Sequence, residues 1–464
     1  MSKTTAVNKQ EVSDIHKGAI FTAVAIALLM NTIDATIVAT ALHTLQTELN
    51  TSVSLAAWSM TAYFFGFVLM LPLSAKLSVR YGHRRIFLLS IAIFTIASLL
   101  CGLSGNIYML ISMRLLQAIG GSGVTPSATG IIVNYFGKSR DKYLGLFGSF
   151  FSIGSMIGPI FGGLFVTYLS WQWIFFINIP LGIIVLLMAR RYIPLDSSSQ
   201  MIAEKSDIPG LVFLASALLS AMLLATRLGH QDALLLAPLH ISLAIVSVFS
   251  FIAFFKHIKR VDQPFIHPRF IYGKGFAAVN LLNLVHAGMV MGAVALVPLY
   301  AISHYGISEL NASLLLIAQG VAAVIMSIVI SMRLYQIGYR LPLYTGVLIL
   351  TAGVFTLSIE PAFGTSPLLW LMISTFLMGF GSGVMSPAAR NAGIHLAPKH
   401  AANIAAIRSL GIQLGQIFTI AIATAVMSAF ANDSYILQMS YFVLGVLLLL
   451  GLPVISKVPD SMKE

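Results

Sequence analysis

Apolar runs of near-spanning length recur along this chain, at about 18–42, 55–75, 86–103, 107–133, 143–168, 173–190, 208–227, 235–256, 275–301, 309–332, 341–359, 367–392, 402–430 and 435–456. A helix rises 1.5 Å per residue, so about 20 apolar residues cross the hydrocarbon core of a bilayer. The runs lack the clean alternation of an outer-membrane strand, which leaves the helix as the spanning element. The expected fold is an all-α membrane protein of about fourteen transmembrane helices. Composition agrees: 9% of residues are charged and 58% are hydrophobic, against about 25% charged in a soluble domain. So few charges could not cover a globular surface.

The net charge of +12 does not mark a nucleic-acid partner, because Lys and Arg fall in short segments between apolar runs rather than along one face. With the N-terminus inside, the cytoplasmic segments hold Lys3, Lys9, Lys17, Lys76, Arg80, Arg84, Arg85, Lys138, Arg140, Lys142, Arg190, Arg191 and Lys205. They also hold Lys256, Lys259, Arg260, Arg269, Lys274, Arg333, Arg340, Arg390, Lys399, Arg408, Lys457 and Lys463, leaving only Arg114 and Arg227 elsewhere. The positive-inside bias then places both termini in the cytoplasm of a multi-pass protein of the cell membrane, and losing one span would spoil the pattern. The single cysteine, Cys101, excludes an intrachain disulfide. The first apolar run is too long for a signal-peptide core and is expected to be retained.

The chain repeats itself. Tyr81-Gly82-His83-Arg84 after the second run parallels Ile337-Gly338-Tyr339-Arg340 after the tenth. Gly121-Ser122-Gly123-Val124 with Pro126 in the fourth parallels Gly381-Ser382-Gly383-Val384 with Pro387 in the twelfth. The offsets of 256 and 260 residues imply one duplicated unit. The expected domains are a tail at 1–17, a six-helix bundle at 18–191 and a linker with two extra helices at 192–260. A second six-helix bundle at 261–456 and a tail at 457–464 complete the chain. Parallel repeats with a site at the midplane between them mark one large class of transporters.

Asp34 is the one acid deep within a spanning run. A carboxylate there costs several kcal/mol, which makes it a candidate proton or cation handle. It lies eight residues, roughly 12 Å, from one end of its run, and Arg114 lies at a similar depth in the fourth. The two are expected to share a polar cavity, Arg114 staying charged while the carboxylate can take a proton; a static ion pair is the plainer reading. In the fifth run Gly154, Gly158 and Gly162, with Pro159 and Gly163, form a groove that admits a neighbouring backbone. Arg80, Gly82, Arg84 and Arg85 form a basic loop that would either anchor at an anionic leaflet or hold helix ends as a gate. His286, with Asn280 and Asn283 at turn spacing, is a candidate for coupling or substrate contact, or for simple packing. Trp58 and Tyr63 could stack on an aromatic or cationic ligand. Glu309, Glu360 and Asp433 fall at the outer ends of spans. No P-loop, metal-ligand cluster or nucleophile constellation is present, so no cofactor, metal or catalytic residue is expected.

These motifs resemble those of the major facilitator superfamily, specifically its fourteen-span drug:proton antiporter branch. Asp34-Ala-Thr36-Ile-Val looks like that branch's first-span motif, and Trp58-Ser-Met-Thr61-Ala-Tyr63 like its second. Arg114-Leu-Leu-Gln117-Ala-Ile-Gly120 is similar to the span-4 motif whose arginine is linked to proton coupling. Gly154 through Gly163 looks like the antiporter motif taken as a mark of exporters. Trp171-Gln172-Trp173-Ile-Phe-Phe-Ile-Asn178-Ile-Pro180-Leu-Gly182 resembles the segment opening span 6. The chain departs from the pattern at Val79, where the loop motif usually has Asp, and at Ala75, Ala118 and Gln172. The resemblance implies a secondary transporter rather than an enzyme. It would export lipophilic or amphipathic small molecules against protons by alternating access, with Asp34 and Arg114 at the coupling site. The partners expected are substrate, protons and lipid, and the chain is expected to work as a monomer. A dedicated exporter of one metabolite, toxin or siderophore, or an uptake symporter, would use the same scaffold.

Overall fold

The computed structural model describes residues 16–136, 140–195, 207–228, 237–261, 264, 266–273, 275–362, 364–397, 401–429 and 435–459. Most of both tails, Asp433, and the basic residues Lys138, Lys205, Lys274 and Lys399 lie outside them, as do the side chains of Arg140 and Lys142. Every regular element among the described residues is a helix. Thirteen are long and apolar enough to cross a membrane. A fourteenth, Arg140–Tyr168, has its apolar part at Ile153–Tyr168.

Spans 1 to 6 are Lys17–Glu48, Val53–Tyr81, His83–Gly102, Ile107–Tyr135, Arg140–Tyr168 and Trp173–Tyr192. Spans 7 and 8 are Ile208–Leu228 and Pro238–Ile258. Spans 9 to 14 are Phe276–Tyr305, Glu309–Ile337, Arg340–Leu357, Pro367–Leu396, Ala401–Ala429 and Tyr435–Ile455. Spans 2, 4 and 5 each run 29 residues, roughly 43 Å, and so outreach a hydrocarbon core of about 30 Å. Span 1 reaches Glu48, beyond its apolar run, through a tight turn at Val38–Ala41.

The duplication is written into the helix ends. Ser52 caps span 2 by accepting from Leu55 N, and Ser308, 256 residues on, caps span 10 by accepting from Asn311 N. Asn106 caps span 4 through Met109 N, and Ser366, 260 residues on, caps span 12 through Leu369 N. Each cap satisfies one orphan amide of a helix N-terminus. After spans 2 and 10 the chain turns at Gly82 (φ 98°) and Gly338 (φ 72°), positions that suit a residue with no Cβ. The next arginines then act alike. Arg84 donates to the carbonyl of Arg190 at the end of span 6, and Arg340 to the carbonyl of Val458 just past span 14. Each half thus ties its third helix to the end of its sixth.

Within each half span 4 or 12 packs along span 3 or 11, and glycines set the distance. A Cβ on Gly120 would meet the backbone of Phe94 at 2.5 Å, and one on Gly346 the backbone of Gly381 at 2.8 Å. Between halves, span 2 lies on span 13 and span 5 on span 10. Spans 7 and 8 pair with each other, and span 7 leans on span 13.

Candidate functional site

Asp34 and Arg114 lie in contact at the centre of the first bundle, each 0% exposed. Arg114 Nη1 donates to Asp34 Oδ2 at 2.7 Å, and Arg114 Nε donates to the carbonyl of Ser59 at 2.8 Å. The other carboxylate oxygen, Oδ1, accepts from Gln117 Nε2 at 2.8 Å and from Asn178 Nδ2 at 2.9 Å. Gln117 closes the cluster: its Oε1 accepts from Arg114 Nη1 at 2.6 Å, and its Nε2 also donates to Ser98 Oγ at 2.7 Å. Three donors thus meet the two carboxylate oxygens. Helical spacing explains the Arg114–Gln117 contact, since residues three apart share a face.

Five spans of one half therefore converge on one cluster: span 1 carries the acid, spans 4 and 6 supply its partners, and spans 2 and 3 supply acceptors to Arg114 and Gln117. The polar cavity expected between Asp34 and Arg114 is replaced by closed packing. A buried ion pair is tolerated only when its remaining hydrogen-bonding capacity is filled, and here Gln117 and Asn178 fill that of the carboxylate. Tyr63 also belongs to this cluster. Its hydroxyl donates to Asn31 Oδ1 at 2.7 Å, and the Arg114 guanidinium lies 4.2 Å from its ring centroid. The cation on Tyr63 is thus Arg114 of the same chain, not a ligand. Trp58 is half-buried one turn before it.

The glycine run of span 5 is a zipper. A Cβ at Gly154, Gly158 or Gly162 would fall on Thr32, Thr36 or Thr40 of span 1 respectively, and one at Gly163 on Ser313 of span 10. The threonine hydroxyls are spent on their own helix, for example Thr32 Oγ1 on the carbonyl of Leu28 at 2.8 Å. Contact is therefore by close approach rather than by cross-helix hydrogen bonds. Pro159 is buried within this face. Span 5 is wedged between the helix that carries Asp34 and a helix of the other half. The halves also meet near the far end of span 1, where His43 Nδ1 lies 4.0 Å from Glu309 Oε1.

Other sequence candidates separate from this cluster. His286 lies in a π-helical stretch, Asn283–Met289, and its Nε2 is 3.0 Å from the carbonyl of Leu448 in span 14. It faces the last helix of its own half. Asn280 holds the short helix Pro268–Tyr272 by donating to the carbonyls of Phe270 and Ile271, at 2.7 and 2.9 Å. Asn283 donates to the carbonyl of Val279 at 2.9 Å. In the basic loop, Arg84 ties its own half together, Arg80 lies over the Tyr81 ring, and Arg85 is exposed. Asn178 and Ser98 were not among the sequence candidates. Asn178 had a signal, a polar side chain followed by Pro180 at the opening of an apolar run; Ser98 had none.

The scaffold is that of a membrane transporter, and the chain belongs to the Major Facilitator Superfamily, whose family model matches residues 24–265 and 279–462. It is 29% identical over 417 residues to Multidrug resistance protein 3 of Bacillus subtilis, covering 88% of this chain and 80% of that one. It is 26% identical over 404 residues to the riboflavin transporter RibZ of Clostridioides difficile, covering 85% of this chain and 86% of that one. Among solved structures it resembles a D-xylose-proton symporter, with a TM-score of 0.67 at 15% identity over 96% of this chain and 99% of that one. The last likeness concerns the fold alone. The chain is thus a multi-pass membrane transporter rather than an enzyme.

Proposed function

We propose that this protein exports lipophilic or amphipathic small molecules in exchange for protons by alternating access, both termini facing the cytoplasm. The observation that carries the reading is Asp34, an acid wholly enclosed by one bundle and met by Arg114, Gln117 and Asn178. Taking a proton at Asp34 Oδ1 removes an acceptor from Gln117 or Asn178 and leaves Arg114 facing a neutral partner. A buried guanidinium without a counter-charge costs several kcal/mol, so protonation favours a conformation that admits water to the pair. Span 1 passes that bias to span 5 through the glycine–threonine zipper, and span 5 abuts span 10 of the other half. Proton and substrate then bias one two-state equilibrium, which is what couples them.

Similarity to multidrug resistance proteins supports efflux of varied compounds. Similarity to a riboflavin transporter supports a second reading, a carrier dedicated to one metabolite. Flux of dyes and of single metabolites in proteoliposomes under an imposed pH gradient tests both. Substrate should move toward the acidic side, and the range of compounds carried separates the two readings. Movement with the proton, toward the alkaline side, contradicts export.

A further inference from the structure

The second bundle has a half-buried arginine of its own with no matching acid among the described residues. At the end of the molecule where span 1 begins, a slot opens between spans 9, 12 and 13, lined by Asn280, Asn283, Arg390 and Arg408 with Phe270 and Phe276. Arg408 stands eight residues into span 13. Its Nη2 donates to Ser386 Oγ at a long 3.3 Å, and its Nε is buried with no partner. Spans 9, 12 and 13 contain no Asp or Glu. Among the described residues neither Arg390 nor Arg408 has an acid within ion-pair distance. Two guanidiniums lining one slot repel each other, and the penalty of a desolvated charge is relieved only by an opposite charge or by hydrogen bonds. The slot has a cavity volume of about 10 Å³, room for about one water or one ligand oxygen. Asn283 Oδ1 is also buried without a partner, so the slot holds both an unmet donor and an unmet acceptor.

We propose that Arg390 and Arg408 form an oxyanion site that receives the carboxylate or phosphate of an amphipathic molecule. Arginine presents a planar fork of donors that matches these groups and keeps its charge in an apolar setting. Phe270, Phe276, Ile404 and Ile407 on the same walls suit the hydrocarbon next to such a head group. One oxygen of the ligand reaches Arg408 Nε in place of a water, and Arg390, exposed at the mouth, takes a second. The source of the oxyanion is an exported compound, which rests on the export reading above, or the head group of an anionic lipid; the chemistry of recognition is the same.

Binding tests this without transport. The full chain, purified in detergent, is titrated with dansyl-aminoundecanoic acid and with its methyl ester, and fluorescence is read. Wild type should prefer the acid by about tenfold. Arg408→Gln should lose that preference with ester affinity unchanged, Arg390→Gln should lose part of it, and Arg408→Lys should keep part. Because binding is read at one constant pH with no gradient, the result separates failure of the site from failure of proton coupling. Titration in nanodiscs of phosphatidylcholine alone, and with phosphatidylglycerol added, assigns the source. Competition by phosphatidylglycerol that disappears in Arg408→Gln points to lipid, and its absence to the exported compound. An acid preference unchanged in both glutamine variants overturns the site. Equal weakening of acid and ester also overturns it, leaving a water-filled packing defect.

Discussion

The two bundles share helix caps and arginine ties, yet they treat an arginine inside a span in opposite ways. Arg114 in the first is fully enclosed, paired at 2.7 Å with Asp34, and bridged by Gln117. Arg408 in the second lies beside Arg390 with no acid in ion-pair reach among the described residues, and its Nε, like Arg114 Nη2, has no partner. The helix caps at Ser52 and Ser308, and the ties from Arg84 and Arg340, show that the scaffolds match closely. The charge arrangement is therefore an addition to each half rather than a product of the fold. Arg114 has its counter-charge within the chain, although its Nη2 is also buried without a hydrogen-bond partner. An unsatisfied pair of cations waits for an anion from outside the chain.

The sharpest way to break the comparison is to remove each arginine in turn. Arg114→Ala strands a buried carboxylate and should destabilise the protein by about 3–5 kcal/mol, read as a large fall in Tm of the detergent-solubilised chain. A Tm within a degree of wild type would mean that the pair is not closed in solution. Gly158→Val places a branched side chain on Thr36 and should cost about 1–3 kcal/mol as an overpacked contact, with transport lost. Thr36→Ala in the same chain should restore part of both, and no rescue would mean the zipper is not where the harm arises. Asn178→Ala removes one of two donors to Asp34 Oδ1 and should cost about 1–3 kcal/mol. It should also move the pH profile of transport, whereas Asn31→Ala, which does not touch the carboxylate, should not move it. The smallest effect belongs to the second bundle. Arg408→Met removes a charge with no acid in reach among the described residues, so its stability should stay within about 1 kcal/mol of wild type or rise. A loss as large as that of Arg114→Ala would show that Arg408 has a counter-charge within the protein and would erase the contrast.

Most of the scaffold was legible in the sequence because the bilayer imposes a length and a polarity on every span. The repeat, the paired glycine turns and the two inserted helices at 192–260 could be seen as letters. Asp34 and Arg114 stood out because charge in a spanning run is rare, and their shared depth followed from the rise of a helix. Whether they touched was not legible, since the rotation of span 1 against span 4 depends on packing across five helices. Ser98 could not be distinguished from other small polar residues of apolar runs. Asn178 was visible in its motif, but its reach to span 1 is a tertiary fact. Arg408 was counted with the loop charges because it lies near the start of a run. Its position inside the helix, on the wall of a slot, depends on where span 13 begins.

The central claim is that the charge on Asp34 links proton movement to substrate movement. Asp34→Asn, reconstituted in proteoliposomes, separates the two when substrate counterflow at equal pH is compared with flux driven by a pH gradient. The account predicts that counterflow survives while gradient-driven accumulation is lost. Accumulation at the wild-type level in that variant would contradict it.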